Sequence, residues 1–107
     1  MEEKIIIDLN EAKMLTESAA LIKFGAKVKK MLYYMFAPSG VSFGKFYLKG
    51  NAGDIQTFAA VLASEKKYMD AYMRYGLDNP KTHKSRYALQ GAISKFERAT
   101  KLKWPFK

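Results

Sequence analysis

The stretch that decides the fold spans residues 54–101 and reads DIQTFAAVLASEKKYMDAYMRYGLDNPKTHKSRYALQGAISKFERATK. Its apolar residues recur at steps of three and four, which is the period of an amphipathic helix. Gly76 interrupts this pattern as a helix stop does, and Asn79 followed by Pro80 restarts it as an N-cap and first helical position. The stretch therefore predicts two consecutive helices joined by a short turn.

The first of these helices is predicted over about 54–75, with Asp54 as its N-cap. Its apolar row consists of Ile55, Phe58, Leu62, Met69 and Tyr72. The second helix is predicted over about 80–101. Its buried face consists of Leu89, Ala92, Ile93 and Phe96. We expect the rings of Trp104 and Phe106, in the tail that follows, to fold back on the body.

Upstream, the sequence predicts a short strand and a long helix. Ile5-Ile6-Ile7 is β-branched, as strands are, and Asp8 with Glu11 three positions later suits a helix N-terminus. The helix is predicted over about 9–36. One apolar row contains Ala12, Leu15, Ala19, Ile22 and Ala26, and a second contains Leu21, Phe24, Val28, Leu32 and Met35.

A second strand is predicted between the long helix and residue 54. Pro38-Ser39-Gly40 breaks the helix, and residues 41–49 are rich in Val, Phe and Tyr, with Gly44 as a bulge or hairpin turn. If the two strands pair across the helix, they should be parallel, with a right-handed crossover. Because two short strands make a poor sheet, the helices must supply most of the core or a partner chain must complete the sheet.

These elements predict an α+β, mostly α fold with three helices and two short strands in the order β-α-β-α-α. The 107 residues, 49% of them hydrophobic, suit a single small basic domain spanning 1–107. There is no cysteine, so disulfides and thiolate sites are excluded. The acidic start and the short run Ile5-Ile6-Ile7 do not resemble a signal or a membrane span, which predicts a cytoplasmic protein or one packaged from the cytosol.

The formal net charge is +9, and two segments carry it. Residues 21–53 contain six lysines and no acid, and residues 80–107 contain eight basic residues against Glu97 alone. Such charge attracts polyanions, of which nucleic acid is the commonest. An acidic protein patch or an anionic membrane surface would be attracted by the same charge. The remaining alternative is that the lysines are solvated and have no function.

The residues give little support to catalysis. His83, the only histidine, lies at the exposed start of a predicted helix, and no Ser-His-Asp set can be assembled. The scattered carboxylates lack metal-ligand spacing, and Gly50-Asn51-Ala52-Gly53-Asp54 lacks the ending of a phosphate loop. We therefore predict a non-catalytic protein without a metal or cofactor.

Two sets of side chains are candidate contacts for nucleic acid or another anion. The first, on the long helix, is Lys23, Lys27, Lys30 and Tyr34, which fall within about 60° on a helical wheel. The second, on the last helix, is Lys81, Lys84, Lys95 and Arg98, within about 100°, extended by Lys101 and Lys103. His83 and Arg86 lie near the start of that helix, where an anion can also bind backbone N–H groups. Solvated helix faces, aided by a Glu97–Lys101 pair, are the alternative for both sets.

Two further features stand out. Glu65 occupies the apolar row of the first quoted helix, so its carboxylate should be paired with a base or lie at the rim. A structural ion pair is the leading interpretation, and a site that faces a partner or ligand is the alternative. Tyrosines and methionines cluster at helix C-terminal ends, where they fill a core or adapt to a partner. They are Tyr33, Tyr34, Tyr68, Tyr72, Tyr75, Tyr87, Met31, Met35, Met69 and Met73.

Five short segments in the C-terminal part of the chain resemble segments of other proteins. They are residues 46–50 (FYLKG), 65–68 (EKKY), 75–80 (YGLDNP), 96–100 (FERAT) and 103–106 (KWPF), within roughly the last sixty residues. These segments resemble small uncharacterised proteins encoded by tailed bacteriophages. The resemblance implies a viral setting, as a virion component, a nucleic-acid accessory or a host-directed factor, and it carries over no functional residues.

The leading hypothesis is a non-catalytic protein that contacts the nucleic-acid backbone of DNA or RNA. The residues expected to do so are Lys23, Lys27, Lys30, Lys84, Arg86, Lys95 and Arg98. The alternative is a structural or interaction protein that docks on an acidic protein surface or self-assembles, with the tyrosine- and methionine-rich ends as its interface. Phosphate binding should weaken steeply as salt rises, whereas apolar assembly should hold.

Overall fold

The structure, a computed structural model, describes residues 5–36 and 46–106. The elements in chain order are β1 (Ile5–Asp8), α1 (Leu9–Met14), α2 (Glu17–Phe36), β2 (Phe46–Lys49), α3 (Ala52–Tyr75) and α4 (Pro80–Thr100). The α+β, mostly α class is confirmed. The predicted break at Pro38-Ser39-Gly40 and residues 41–45 of the predicted second strand lie outside the described residues.

β1 and β2 form a two-stranded parallel sheet, as predicted. Ile5 lies opposite Phe46 and Asp8 lies opposite Lys49. Ile5 and Ile7 are buried and Ile6 is exposed, which is the alternation expected of a strand with one covered face. The sheet therefore adds two isoleucines to a core that the helices dominate.

The single long helix predicted over 9–36 is wrong, because the chain breaks between α1 and α2. Leu15 has extended backbone angles, and α2 begins after Thr16, a residue type that favours helix N-caps. Because of this break, residues of one predicted apolar row no longer lie on one face of a single helix. Ala12 is buried, but Ile22, in the same predicted row, is 74% exposed. In the second predicted row Phe24 and Val28 are buried, and Leu21, Leu32 and Met35 are half-buried.

Four rings form the centre of the core. Phe24, Phe58, Phe96 and Trp104 come from α2, α3, α4 and the tail, and every pair among them has ring centroids 5.5–5.9 Å apart. The prediction that the tail rings fold back is half confirmed. Trp104 is 2% exposed, whereas Phe106 is 41% exposed and touches Trp104 from outside, with the centroids 6.2 Å apart.

The local signals at the helix ends are largely confirmed. Asn79 caps α4 with its side chain, Pro80 is the first helical residue, and Gly76 ends α3 with φ 81°. The N-cap of α3 is Asn51, however, and not Asp54. The Asn51 side chain accepts the backbone N–H of Asp54 at 2.8 Å, and the Asp54 carboxylate pairs with Lys13 of α1.

The α3–α4 hairpin has two unlike halves. The proximal half comprises residues 54–65 of α3 and 89–100 of α4, and the distal half comprises residues 68–87. Along the predicted apolar row of α3, Phe58 and Leu62 in the proximal half are buried, Ile55 is half-buried, and Met69 and Tyr72 in the distal half are exposed.

Candidate nucleic-acid interface

The first predicted cation set, on α2, lies beside carboxylates of the N-terminal segment. Lys23 forms an ion pair with Glu11 of α1. This hydrogen bond, together with the charge of Lys23, holds the pKa of Glu11 below its ordinary value, and the charge of Lys27 acts in the same direction. Asp8 and Glu11 border the same small surface depression as Lys23 and Lys27. The positive potential of this stripe is therefore partly cancelled.

Tyr34, the ring predicted to complete the α2 stripe, is half-buried. Its ring packs against Tyr33, with centroids 5.7 Å apart, and against Phe46 of β2 at 6.0 Å. These contacts leave less of the ring available for stacking on a base than a solvent-exposed tyrosine would offer.

The second predicted set lies on the outer face of α4. Lys84, Lys95 and Arg98 are exposed, and they fall within about 60° on the side of α4 opposite the buried Leu89 and Ile93. Lys84 and Arg98 are about 21 Å apart along the axis at ~1.5 Å per residue. We call Lys84, Lys95 and Arg98 the outer cations of α4.

No carboxylate of the described residues forms an ion pair with these outer cations, because the two ion pairs found there involve Lys13 and Lys23. The one acid of α4, Glu97, lies on another side of the helix. Glu97 is half-buried and accepts the backbone N–H of Trp104 at 2.9 Å. The charges of the outer cations are therefore not neutralised by an ion pair with any carboxylate of the described residues.

Small residues separate the outer cations. Ala88 and Gly91 are exposed and lie between Lys84 and Lys95 on the same face. A Cβ added to Gly91 would meet nothing within 4 Å, so the space above the helix is open. A phosphate can therefore approach the backbone of α4 closely while the long cationic side chains reach it from both ends.

Lys81, at the edge of this face, has its ammonium 4.8 Å from the ring centroid of Tyr75. A cation in this position is attracted by the π face of the ring and stays accessible to an anion. Lys101 and Lys103, predicted to extend the charge, instead border a separate cleft of about 370 Å³ against α1 and the start of α2, which Lys13 and Glu17 also line.

α4 also borders two concavities, the smaller one on the flank that carries Tyr87 and the larger one on the side of Leu89 and Ile93. The smaller, of about 120 Å³, is lined by His83, Arg86, Tyr87 and Gln90. The larger, of about 430 Å³, is lined by Tyr68, Arg86, Leu89, Gln90, Ile93, Ser94 and Phe106. Sequence reasoning named Arg86 and His83 but missed Gln90 and Phe106 as site residues. The i, i+4 spacing of His83 with Tyr87 and of Arg86 with Gln90 was the available signal.

The prediction that Glu65 forms an ion pair is wrong. Its carboxylate is buried and accepts a hydrogen bond from the indole N–H of Trp104 at 3.0 Å. Burial raises the pKa of Glu65, and the Trp104 hydrogen bond opposes that shift in part. Glu65 is therefore a core residue. Its hydrogen-bond partner, the indole of Trp104, is uncharged, and Glu65 is not part of the basic surface.

Comparisons with known protein families, with curated proteins and with solved structures find no match to this chain. Across residues 5–36 and 46–106, no helix combines the length and hydrophobicity required to cross a bilayer. Those residues also contain no group of three or more His, Cys, Asp or Glu side chains placed to hold a metal ion.

Proposed function

We propose that this protein binds the phosphate backbone of nucleic acid through the outer face of α4. The observation that carries the proposal is the set of outer cations Lys84, Lys95 and Arg98, which are exposed, share one face and have no ion-pair partner among the described carboxylates. Neutralising several phosphates with ammonium and guanidinium groups releases counterions, and this supplies sequence-independent affinity.

The α2 stripe plays the smaller part in this proposal. Lys23 is engaged by Glu11, and a phosphate would have to displace that carboxylate before using it. Lys27 lies beside the same acid. Because the two sets differ in this way, removing equal charge from α4 and from α2 should have unequal effects on nucleic-acid affinity, with the larger loss from α4.

A salt titration tests the proposal. Binding of a fluorescently labelled oligonucleotide is followed by anisotropy from low salt to about 0.2 M, the range in which phosphate contacts weaken by orders of magnitude. The test variant is Lys84→Gln/Lys95→Gln/Arg98→Gln. We expect it to flatten the slope of log K against log salt by about 2 to 3, since each lost phosphate contact contributes about 0.7 to 0.9.

The matched control is Lys23→Gln/Lys27→Gln/Lys30→Gln, which removes the same formal charge from α2. We expect it to change the slope by less than about 1. Thermal melts establish that both variants are folded. The proposal fails if the wild-type protein gives no anisotropy change with any DNA or RNA at low salt, or if the two triple variants lose affinity equally.

A second candidate function is protein binding, favoured by the apolar end of the hairpin. The distal half exposes Met69, Tyr72, Met73, Tyr75 and Leu77. Tyrosine and methionine adapt well to partner surfaces. If this end self-associates, size-exclusion chromatography at rising protein concentration should show a larger species that persists or grows at high salt. The tailed-phage setting, a prediction from the resemblance, suits either function.

A further inference from the structure

The two concavities that α4 borders are adjacent and share two polar side chains. Arg86 and Gln90 line both of them. Arg86 is exposed, and its guanidinium can bind a phosphate bidentately or lie flat on a base. Gln90 is exposed and presents an amide that both donates and accepts. A polar ridge therefore separates two recesses on one flank of the helix.

Each recess contains an accessible ring. Tyr87, in the smaller recess, is 76% exposed, although large aromatic side chains favour burial. Phe106, in the larger recess, is partly exposed above an apolar floor that Leu89 and Ile93 help to form. Exposed rings interleaved with cations are the arrangement by which proteins bind unpaired bases.

The smaller recess adjoins the outer cations at Tyr87, whereas the larger recess lies further round α4, toward the side that carries Leu89 and Ile93. On a helical wheel Tyr87 lies within about 20° of Arg98 and about 60° of Lys84, whereas Gln90 and Arg86 lie about 120° and about 160° from Lys84. A strand that leaves the outer cations and crosses the flank of α4 would therefore pass Tyr87 first, then Gln90 and Arg86, and reach the larger recess last. A duplex keeps its bases paired and stacked, so it would offer these rings only sugar and groove edges.

We propose that the ligand of the α4 face is single-stranded nucleic acid. Its phosphates contact the outer cations, its bases stack on Tyr87 and Phe106, and Arg86 binds the phosphate between them. This inference rests on the proposed function, because it names the class of nucleic acid that the same face binds.

The experiment compares four probes of equal length at one salt concentration. They are oligo(dT), a strand with the same phosphates but abasic sugars, a duplex and poly-glutamate. Oligo(dT) should bind about a hundredfold more tightly than the abasic strand, since stacking of each of two bases on a ring contributes about tenfold. Tyr87→Leu should remove most of that difference, and Phe106→Leu should remove part of it. Neither should alter the salt slope, because neither removes a charge.

The matched control is Tyr33→Leu, which removes a tyrosine of similar exposure, 71%, from α2. It should leave the preference for oligo(dT) unchanged. Equal binding of oligo(dT) and the abasic strand would overturn the inference while leaving backbone binding intact. Stronger binding of the duplex, or of poly-glutamate, would also overturn it. Failure of every nucleic-acid probe to bind would instead refute the proposed function itself.

Discussion

The two halves of the α3–α4 hairpin carry the same kind of helical pattern but different surroundings. In the proximal half, Phe58 and Phe96 lie in the four-ring cluster with no exposed surface. In the distal half, Met73 and Tyr87 project into solvent. An amphipathic pattern thus identifies a helix and its apolar side, whereas how much of that side is buried depends on which other elements pack against it.

Small residues hold the distal half together. Ala71 and Thr82 are its buried residues, and the Thr82 hydroxyl lies 2.7 Å from the carbonyl oxygen of Gly76 and 3.2 Å from that of Ala71. This contact closes the hairpin without a large apolar side chain. The exposed rings of the distal half, Tyr72, Tyr75 and Tyr87, therefore stay available for binding.

The largest expected difference between the halves is in core packing. Phe96→Ala should lower the free energy of unfolding by about 3–5 kcal/mol, because it removes a ring that contacts three others. The distal control Met73→Ala should change it by less than about 0.5 kcal/mol, because that side chain is exposed. Urea unfolding followed by circular dichroism measures both. Similar losses in the two variants would contradict the division into halves.

The turn between α3 and α4, at the tip of the distal half, depends on Gly76. Its φ of 81° and ψ of 173° lie in a region essentially restricted to glycine, so Gly76→Ala should cost about 1–3 kcal/mol. A Cβ there meets nothing within 4 Å, so the cost is purely one of backbone conformation. Gly91→Ala is the control with the opposite sign. Within the helical interior of α4 it should stabilise the protein by about 1 kcal/mol. Thermal melts of both variants give the comparison, and a stable Gly76→Ala variant would refute it.

The hydrogen bonds of Thr82 allow a finer test. Thr82→Val keeps the shape and removes the hydroxyl, at a cost of about 1 kcal/mol. Hydrogen exchange should speed up at distal amides more than at proximal ones, since the hairpin end opens locally. Thr100→Val, at the proximal end of α4, removes the hydroxyl that accepts the Leu102 N–H. It should accelerate exchange near the tail instead. Uniform acceleration in either variant would mean that the hairpin opens as one unit.

The smallest expected effect is a pH-dependent change in stability when Glu65, at the edge of the proximal half, is replaced. Glu65→Gln keeps an oxygen that can accept from Trp104 but cannot ionise. Because burial raises the pKa of Glu65, the folded state binds its proton more tightly than the unfolded state. Wild-type stability from this group is therefore full below about pH 4.5 and is lost as pH rises through the folded pKa.

The variant should accordingly melt at a higher temperature than wild type at pH 7, and this gap should close as pH falls toward 4.5. Melting curves across this range measure the gap. A gap that stays constant would show that folding does not shift the pKa of Glu65, and a gap that widens on acidification would show that the fold favours the charged carboxylate.

Local signals made the C-terminal half predictable. Gly76, Asn79 and Pro80 each act on their own backbone neighbours, so the end of α3 and the start of α4 follow from adjacent residues. The N-cap of α3 was misplaced because Asn51 and Asp54 are both good capping residues three positions apart. The break at Thr16 was missed because apolar residues continue on both sides of it.

Of the candidate site, the sequence predicted the cations on α4 but not their state of pairing. Spacing along one helix places Lys84, Lys95 and Arg98 on one face. The pairing of Lys23 with Glu11 joins residues of α2 and α1, and their proximity depends on the turn between those helices. The recess that contains Phe106 also escaped prediction, since it forms only where the tail meets α4.

The amino-acid sequence by itself determined α3 and α4, most of their ends, and the face on which α4 carries its charge, because each depends on neighbours within a few residues. Only the tertiary structure decided which half of the hairpin is buried, that Glu65 accepts from Trp104, and which cations keep their charge uncancelled. Those outcomes depend on groups far apart in the chain, whose meeting is set by how the elements pack.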